Sequence, residues 1–305
     1  VAQHLGAQLL PEPLVPCAVL AARVLTACEN KSLSAELLSG ITSGESIVAV
    51  AFQEQAGDLD NPRRQTQVTL GGDGGVVLNG SKRFVAGASA ADGFLVSADT
   101  DNGPVLLWLP TQTDGLALSL ETLADGRFAG ALSLSNVSLG DHHILARGNN
   151  AAEALDRAVD AANAIVCAEL LGLMGTALDM TLEYLRTRVQ FGKAIGTFQV
   201  LQHRCVDLFV QQQLASASLS DALEALDNEP DARGTAATVS RAKARCADAA
   251  ALITRQAIQM HGAVGFTEDS DVGLFVKRAL TLSAWMGNSA YHRRRFARLA
   301  PDNEE

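Results

Sequence analysis

The stretch Arg186–Gln199 reads R-T-R-V-Q-F-G-K-A-I-G-T-F-Q and lies between two long segments whose apolar residues have helical spacing. It brings three cations, Arg186, Arg188 and Lys193, to one helix end, and the nearest acid in the sequence is Glu183. A cation cluster that its neighbours do not neutralise is suited to a polyanionic ligand. Charge alone favours a plainer interpretation, in which the cations belong to a solvated turn and face the negative end of a helix.

The same stretch predicts where the flanking helices end and begin. Phe191-Gly192 is expected to close the first helix, because glycine tolerates the left-handed conformation found at helix C-termini. Gly196-Thr197 is expected to open the next helix, with Thr197 as its N-cap. The sequence therefore predicts a basic turn between two helices.

From residue 150 onward the apolar residues recur at three- and four-residue spacing, which is typical of helices that bury one face. Breaks occur at 228–230, where a proline follows two polar residues, and over the loop 262–269. The pattern predicts a long first helix and three further helices, at 199–227, 231–261 and 271–298. Four long helices with short connections indicate an antiparallel four-helix bundle over 150–305.

Residues 45–149 instead carry short apolar runs separated by turn residues, which is typical of an antiparallel β-domain. The strongest turn signals are Asn79-Gly80, Asp101-Asn102-Gly103 and Asp125-Gly126. A glycine-rich run at 71–75 is expected to form a hairpin tip. A phosphate-binding loop is disfavoured there, because a strand rather than a helix follows and a G-K-S or G-K-T ending is absent.

Residues 1–44 have helical spacing interrupted by Pro11, Pro13 and Pro16, and they are too few to form a domain of their own. The chain is therefore expected to have an α+β fold in three parts: a helical segment over 1–44, a β-domain over 45–149 and a bundle over 150–305. Because the sequence begins at Val1 without a methionine, we expect upstream residues to be missing.

Composition restricts the class of protein. The 305 residues are 48% hydrophobic and 19% charged, which is enough to bury a full core in two or three domains. A net charge of −10 argues against a nucleic-acid binder. The five cysteines are widely spaced and odd in number, so neither a disulfide framework nor a metal site is expected, and a reducing, cytoplasmic setting fits best. Without a run of 18 apolar residues or a signal-peptide pattern, no membrane span is expected.

Three stretches of the chain resemble signatures of the acyl-CoA dehydrogenase family. Residues 188–199 resemble R-x-x-F-G-x-x-I-x-x-F-Q, and Gln259–Thr267, Q-M-H-G-A-V-G-F-T, resembles Q-x-H-G-G-x-G-F-T. Leu78–Val85 resembles L-N-G-x-K-x-x-V. The resemblance covers nearly the whole chain and is strongest over 180–280. It implies the remnant of an N-terminal helical domain, a β-barrel-like middle domain, a C-terminal four-helix bundle and FAD as cofactor.

In that family each FAD is shared between subunits: one subunit holds the flavin ring, and the bundle of its neighbour holds the diphosphate and adenosine. The resemblance implies roles for residues of this second, diphosphate-binding half of the site. Arg188 would pair with the pyrophosphate, Phe191 would pack on the cofactor, and Gln259 with the Gly262 backbone would approach the adenosine. Ala263 departs from the family pattern, which has a second glycine there, and its Cβ would crowd a close backbone contact. The plainer alternatives are Phe191 in the bundle core and Gln259 as an exposed helix residue.

The half of the site that would hold the flavin ring departs further from the family. In place of a T-E-P segment and a W-I/V-S/T segment, the chain has Phe52-Gln53-Glu54 and Phe84-Val85-Ala86. Gln53 can still hydrogen-bond a flavin, whereas Ala86 offers no side-chain donor. Backbone amides are the alternative source of these hydrogen bonds.

The family reaction removes a proton α to a thioester carbonyl and therefore needs a carboxylate. The two usual base positions align with Met286, within Trp285-Met286-Gly287, and with Ala162, and neither residue can accept a proton. Glu169, about 10 Å further along the same helix face, and Asp160, on the opposite face, are weak substitutes. Their plainer roles are a hydrogen bond in the bundle core for Glu169 and a solvated face for Asp160. His203 and His261 are expected to be structural.

The resemblance leaves two functional hypotheses. The favoured one is a short, non-catalytic subunit of a heteromeric α2β2 acyl-CoA dehydrogenase, which supplies FAD contacts to a partner subunit that carries the catalytic glutamate. Such enzymes act on bulky acyl-CoA thioesters, such as those of steroid side chains, and electron transfer flavoprotein is the family's usual acceptor. The alternative is an autonomous homo-oligomeric dehydrogenase with a relocated base such as Glu169.

Overall fold

The computed structural model describes residues 1–57, 59, 64–71, 75–230 and 232–300. The predicted hairpin tip at 71–75 falls mainly on residues 72–74, which lie outside the described residues. The chain forms two compact units, one from Pro13 to Ala162 and one that joins Val1–Glu12 to the chain from Asn163 onward. The α+β fold class is confirmed, whereas the three-part division at 44/45 and 149/150 stays a prediction.

The elements follow the alternation expected from the sequence. The helices are α1 Ala2–Ala7, α2 Ala21–Ala27, α3 Lys31–Ser43, α4 Gly148–Thr187, α5 Gln199–Asn228, α6 Arg233–His261, α7 Val272–Ala284 and α8 Ser289–Leu299. The strands are β1 Val48–Ala51, β2 Gln67–Leu70, β3 Gly75–Ala86, β4 Gly93–Thr100, β5 Gly103–Pro110, β6 Leu116–Thr122, β7 Phe128–Gly140, β8 Ile144–Arg147, β9 Val189–Gln190 and β10 Lys193–Ala194.

The strands β1 to β8 form one sheet in the order β6-β7-β3-β2-β4-β5-β8, with β1 beside β4. The predicted antiparallel pairing holds for most neighbours, but β1 runs parallel to β4 from Val48 to Ala51. β2 also meets β4 in parallel, at Gln67 and Asp99. The sheet is therefore mixed, and it buries apolar side chains such as Leu78, Phe94 and Leu107.

The turn predicted at Asn79-Gly80 is wrong, because β3 runs through both residues. The pairing of β3 with β7 shifts register between Leu78 and Gly80, which marks a bulge. Gly80 has φ 142°, and a Cβ there would lie 2.6 Å from the Cα of Thr66. The glycine is needed for this close backbone approach rather than for a reversal of the chain.

In the helical unit α6 is the central helix, packing against α5, α7 and α8. Its alanine-rich sequence favours helix, and its buried positions recur every three or four residues. Small side chains also allow α1 to cross α4 closely. A Cβ on Gly6 would overlap the carbonyl of Glu169, and a Cβ on Gly172 would overlap the carbonyl of Gln3.

The single helix predicted over 271–298 is wrong, because the chain breaks between α7 and α8. Met286 and Gly287 have left-handed backbone conformations, with φ of 56° and 107°. Asn288 then caps α8, with its side chain accepting a hydrogen bond from the Tyr291 amide at 2.9 Å. The dipeptide Gly287-Asn288 is a stop and a start signal placed side by side.

The helix α4 is long and apolar enough, by length and composition, to cross a membrane. In the protein, 72% of its most apolar window is buried, which is the pattern of a core helix. Composition alone therefore does not assign a membrane span to this helix.

Candidate functional site

The basic turn is a small hairpin rather than a helix cap. α4 ends at Thr187, and β9 pairs with β10 around a two-residue tip, Phe191-Gly192. Both tip residues have positive φ, 53° and 78°, as in a type I′ turn. The prediction that Phe191-Gly192 closes the first helix is therefore wrong, because the left-handed pair reverses a hairpin instead.

The predicted N-cap at Thr197 is also wrong. Residues Ile195–Thr197 form a short 3-10 turn, and the Thr197 hydroxyl donates to the carbonyl of Ala194 at 2.7 Å. α5 begins only at Gln199, after Phe198, and no side chain caps it. The hairpin is thus joined directly to the first turn of α5.

The hairpin holds Arg188 by its backbone and leaves its side chain exposed. The Arg188 amide donates to the Tyr184 carbonyl at 2.8 Å, and the Arg188 carbonyl accepts from the Ile195 amide at 2.9 Å. Across the part of the chain that the structure describes, no acidic side chain pairs with Arg188 or Lys193. Glu183 lies 3.8 Å from Arg186 instead. The guanidinium of Arg188 is therefore available to an anion.

Aromatic side chains surround these cations. Phe191 is 89% exposed, so its alternative assignment to the bundle core is wrong. Its ring meets the Phe198 ring edge-on, with centroids 6.1 Å apart. The Lys193 ammonium lies 4.4 Å from the centroid of Phe198, within the range of a cation–π contact. The hairpin thus presents two cations and an exposed aromatic ring on one small element.

The second signature lies at the same end of the helical unit. Gln259 is exposed on the last turn of α6, and Gly262 ends the helix with φ 65°. The adjacent Ala263 is exposed, so its methyl group faces solvent rather than the core. The ring of His261 stacks on Tyr184 with centroids 4.5 Å apart, and Tyr184 holds the Arg188 amide. The two signatures are therefore connected through one aromatic contact.

His261 has the structural role expected of it. The residue is buried, and its Nδ1 lies 2.8 Å from the Ala257 carbonyl. His203 is exposed on α5. Over the described ranges no group of three His, Cys, Asp or Glu side chains is arranged to hold a metal ion. All five cysteines are free thiols.

Neither aligned base position carries a proton acceptor, and both are closed to solvent. Met286 is 1% exposed in the linker between α7 and α8, and Ala162 is fully buried in α4. A thioether is at most a weak hydrogen-bond acceptor and cannot take a proton from a carbon acid. The chain therefore offers no base at either position.

Two buried side chains hold the linker that carries Met286. Lys243 Nζ donates to the carbonyls of Trp285 at 2.8 Å and Gly287 at 3.1 Å. His292 Nε2 lies 3.0 Å from the Met286 carbonyl, and since a carbonyl only accepts, this nitrogen carries the hydrogen. Sequence reasoning missed these two residues, because a lysine and a histidine on helices are usually solvated.

Burial shifts the titration of both groups. Burial lowers the pKa of Lys243 to about 8, although the neighbouring Cys167 and Cys246 thiols oppose the shift. Burial, reinforced by the charge of Lys243, lowers the pKa of His292 to about 3. The imidazole is therefore neutral at neutral pH, which suits its single donated hydrogen bond.

The substitute carboxylates are also engaged or buried. Glu169 is 5% exposed and forms an ion pair with Arg278, with Oε1 3.0 Å from Nη1. Arg278 also donates to the carbonyls of Leu9 and Leu10. Asp160 is buried, so the solvated position expected for it is wrong. The partner of Glu169 lies 109 residues away in sequence, which spacing along one helix cannot predict.

The segment aligned with the ring-holding half is built on a buried ion pair. Lys82 Nζ lies 2.6 Å from Glu54 Oε1, and the carboxylate also accepts from the Gln65 and Thr66 amides. Burial works to raise the pKa of Glu54, but its hydrogen bond and charge contact with Lys82 outweigh burial and lower it. Nearby, Phe84 has φ 58° at the second bulge of β3. Glu54 is thus committed to the fold.

Comparison with known proteins shows which family this chain is similar to. The family model of the acyl-CoA dehydrogenase C-terminal domain matches residues 151–300. The acyl-CoA dehydrogenase IpdE2 of Mycolicibacterium smegmatis is 32% identical over 210 residues, which cover 68% of this chain and 57% of that protein. The chain thus spans just over half the length of this curated relative.

Solved structures are similar to this chain over a larger part of its length. The ChsE4-ChsE5 complex from Mycobacterium tuberculosis contains a chain 25% identical in sequence, with a TM-score of 0.87, covering 100% of this chain and 80% of that one. A Tcur3481-Tcur3483 steroid ACAD variant is also 25% identical, with a TM-score of 0.86, covering 98% and 78%.

Proposed function

Because the chain belongs to the acyl-CoA dehydrogenase family, we propose that it is a non-catalytic subunit of an FAD-dependent acyl-CoA dehydrogenase. In this proposal it contributes FAD contacts to a partner subunit, which carries the catalytic glutamate. The observation that carries the proposal is a contrast within the chain: the basic hairpin is exposed and unpaired in the described residues, while both base positions are buried and hold Met286 and Ala162.

The residues of the diphosphate-binding half of the site are suited to a dinucleotide diphosphate. An unpaired guanidinium such as Arg188 binds two phosphate oxygens through its planar fork, and Lys193 adds a second positive charge. Phe191 offers an exposed ring to the cofactor. Gln259, on the last turn of α6, and the backbone of Gly262 and Ala263 flank His261, whose ring stacks on Tyr184. When bound, FAD supplies the acceptor for the hydride that leaves the substrate β-carbon.

The proton acceptor must come from the partner in this scheme. Abstraction of the α-proton needs a carboxylate within hydrogen-bond reach of the substrate, and loss of a general base costs roughly 10² to 10⁴ in rate. Glu169 could serve only after it leaves Arg278, which would abandon a buried cation without its counterion. This cost is the reason to prefer a subunit role over an autonomous enzyme with a relocated base.

Two similar solved structures support a partner subunit and a bulky substrate. One similar chain comes from the ChsE4-ChsE5 complex and another from a steroid ACAD, so we propose an α2β2 assembly that acts on a bulky acyl-CoA thioester, such as one with a steroid side chain. Electron transfer flavoprotein is the expected electron acceptor. A cytoplasmic location is consistent with five free cysteines, and it stays a prediction.

The test is to purify the chain alone and together with an acyl-CoA dehydrogenase subunit from the same organism that carries the catalytic glutamate. We expect the lone chain to be colourless and inactive in a dye-linked acyl-CoA oxidation assay. We expect the mixed complex to bind one flavin per heterodimer and to oxidise bulky thioesters faster than short-chain ones. Bound FAD and turnover by the lone chain would reject the subunit role and favour the autonomous enzyme.

A further inference from the structure

The linker Trp285–Gly287 is held in an unfavourable conformation at a measurable cost. Met286 occupies the left-handed region, which is unfavourable for a residue with a Cβ. Lys243 is fully buried, and burying an ammonium group is also costly unless hydrogen bonds compensate. The fold therefore needs compensating contacts at this linker.

The compensation is directed at three successive backbone carbonyls. Lys243, from α6, binds the carbonyls of Trp285 and Gly287, and His292, from α8, binds the carbonyl of Met286 between them. Gly287 cannot be replaced freely, because a Cβ there would lie 2.8 Å from His292 Nε2 and would overlap the Tyr291 ring. Two helices thus fix the linker from both flanks.

We infer that Lys243 and His292 are positioning residues for this linker, and that together they hold the side chain of residue 286 in the protein interior. The family's carboxylate position is therefore closed as well as substituted. The inference relies on the proposed function only for the meaning of position 286.

Thiol labelling of residue 286 tests this inference. In the 305-residue chain, Met286→Cys is combined with Lys243→Met, which keeps an apolar stem and removes the donors. Each cysteine is followed by peptide mass spectrometry during reaction with N-ethylmaleimide. We expect Cys at 286 to react slowly in the single variant and at least about tenfold faster in the double variant, since two hydrogen bonds are lost. Lys277→Met, on the exposed face of α7, is the matched control and should leave the rate unchanged.

The half-buried Cys205 of the helical unit and the buried Cys28 of the β-containing unit serve as internal references. A positioning role predicts selective exposure of residue 286, with the labelling rates of both references unchanged. Parallel acceleration at Cys205 would show general opening of the helical unit and would overturn the inference, as would fast labelling at 286 with Lys243 in place. If the Lys243 variant does not fold, His292→Phe removes the other donor and should give the same selective increase. No cofactor or partner is needed, and Met286 cannot accept a proton whether it is buried or exposed, so failure here would leave the subunit role to its own test.

Discussion

Two turns of the helical unit each contain a left-handed pair of residues but have opposite surroundings. Phe191-Gly192 and Met286-Gly287 each place a bulky residue in the left-handed region before a glycine, with φ of 53° and 56° at the first residue. Phe191 is exposed at the tip of a free hairpin, whereas Met286 is buried and its linker is held by Lys243 and His292. The comparison teaches that the packing around a left-handed pair, rather than the pair itself, decides whether its first side chain is presented to solvent or held in the interior.

The largest expected effect comes from placing the same charge at both turns. Met286→Glu should lower the free energy of unfolding by about 3 kcal/mol, because a carboxylate at a closed position is poorly solvated. Phe191→Glu should change it by less than about 0.5 kcal/mol, because the side chain is in water. Urea denaturation measures both, with Met286→Leu as the volume-matched control. A stable Met286→Glu protein would mean that the linker is open.

The second largest effect is a loss of stability at acid pH, which is expected from His292 beside the Met286-Gly287 turn. The pKa of His292 is about 3 in the folded chain and near 6.5 when unfolded, so the unfolded state binds the proton first as pH falls. The stability due to this group is complete above pH 6.5 and is lost as the pH falls toward 3, by about 2 kcal/mol at pH 5.

The measurement is urea denaturation between pH 7 and pH 5 for the natural chain and His292→Phe. The natural chain should lose more stability over this window than the variant does. His203→Phe, on the exposed part of α5, is the matched control and should lose as much stability over this window as the natural chain. Parallel curves for the natural chain and His292→Phe would contradict a neutral, buried imidazole.

Arg188→Gln tests anion binding at the exposed hairpin around Phe191-Gly192 without disturbing the fold. Its side chain makes no ion pair in the described residues, so unfolding should be unchanged, whereas FAD affinity of the co-purified complex should fall about tenfold or more. Flavin absorbance after dialysis measures the loss. Arg186→Gln, two residues away and beside Glu183, is the control and should keep its flavin. Equal retention in both variants would remove Arg188 from the proposed grip.

The smallest effect is expected from Phe191→Asn. Asn-Gly is the favoured dipeptide for a type I′ turn, so the variant should gain about 0.5 to 1 kcal/mol of stability by relieving backbone strain. It should also lose flavin modestly, because the exposed ring is gone. Thermal unfolding and flavin content of the complex are compared with Gly192→Ala, which should destabilise the same turn. A variant that is no more stable would mean that Phe191 is not strained.

Residue types and their spacing predicted which segments form the candidate site, but they did not predict the local backbone geometry of those segments. The signatures around Arg188 and Gln259 located two segments that the structure connects through Tyr184 and His261. The hairpin was not predicted, because Phe-Gly is a weak turn signal compared with Asn-Gly. Conversely, Asn79-Gly80 carries the strong signal and lies inside β3, where pairing with β7 decides the backbone.

The partners of buried charges were the other features that sequence reasoning missed, although a hydrogen bond in the bundle core was one of the roles expected for Glu169. The pair Glu169–Arg278 and the contacts of Lys243 join residues far apart in the chain, and periodicity along one helix carries no information about them. Their sequence signal is only a charged residue on an otherwise apolar helical face. Such a residue needs a tertiary partner, whose identity appears only when the helices are assembled.

The first twelve residues raise a question about the order of synthesis. They belong to the unit that resumes at Asn163, and Arg278 binds the carbonyls of Leu9 and Leu10. A ribosome would release Gly6 early, yet its contact surface on α4 appears only after the whole unit from Pro13 to Ala162 has emerged. The β-containing unit can therefore complete its contacts during translation, while the leading segment waits for α7, and premature termination before Arg278 would leave that segment without its anchor.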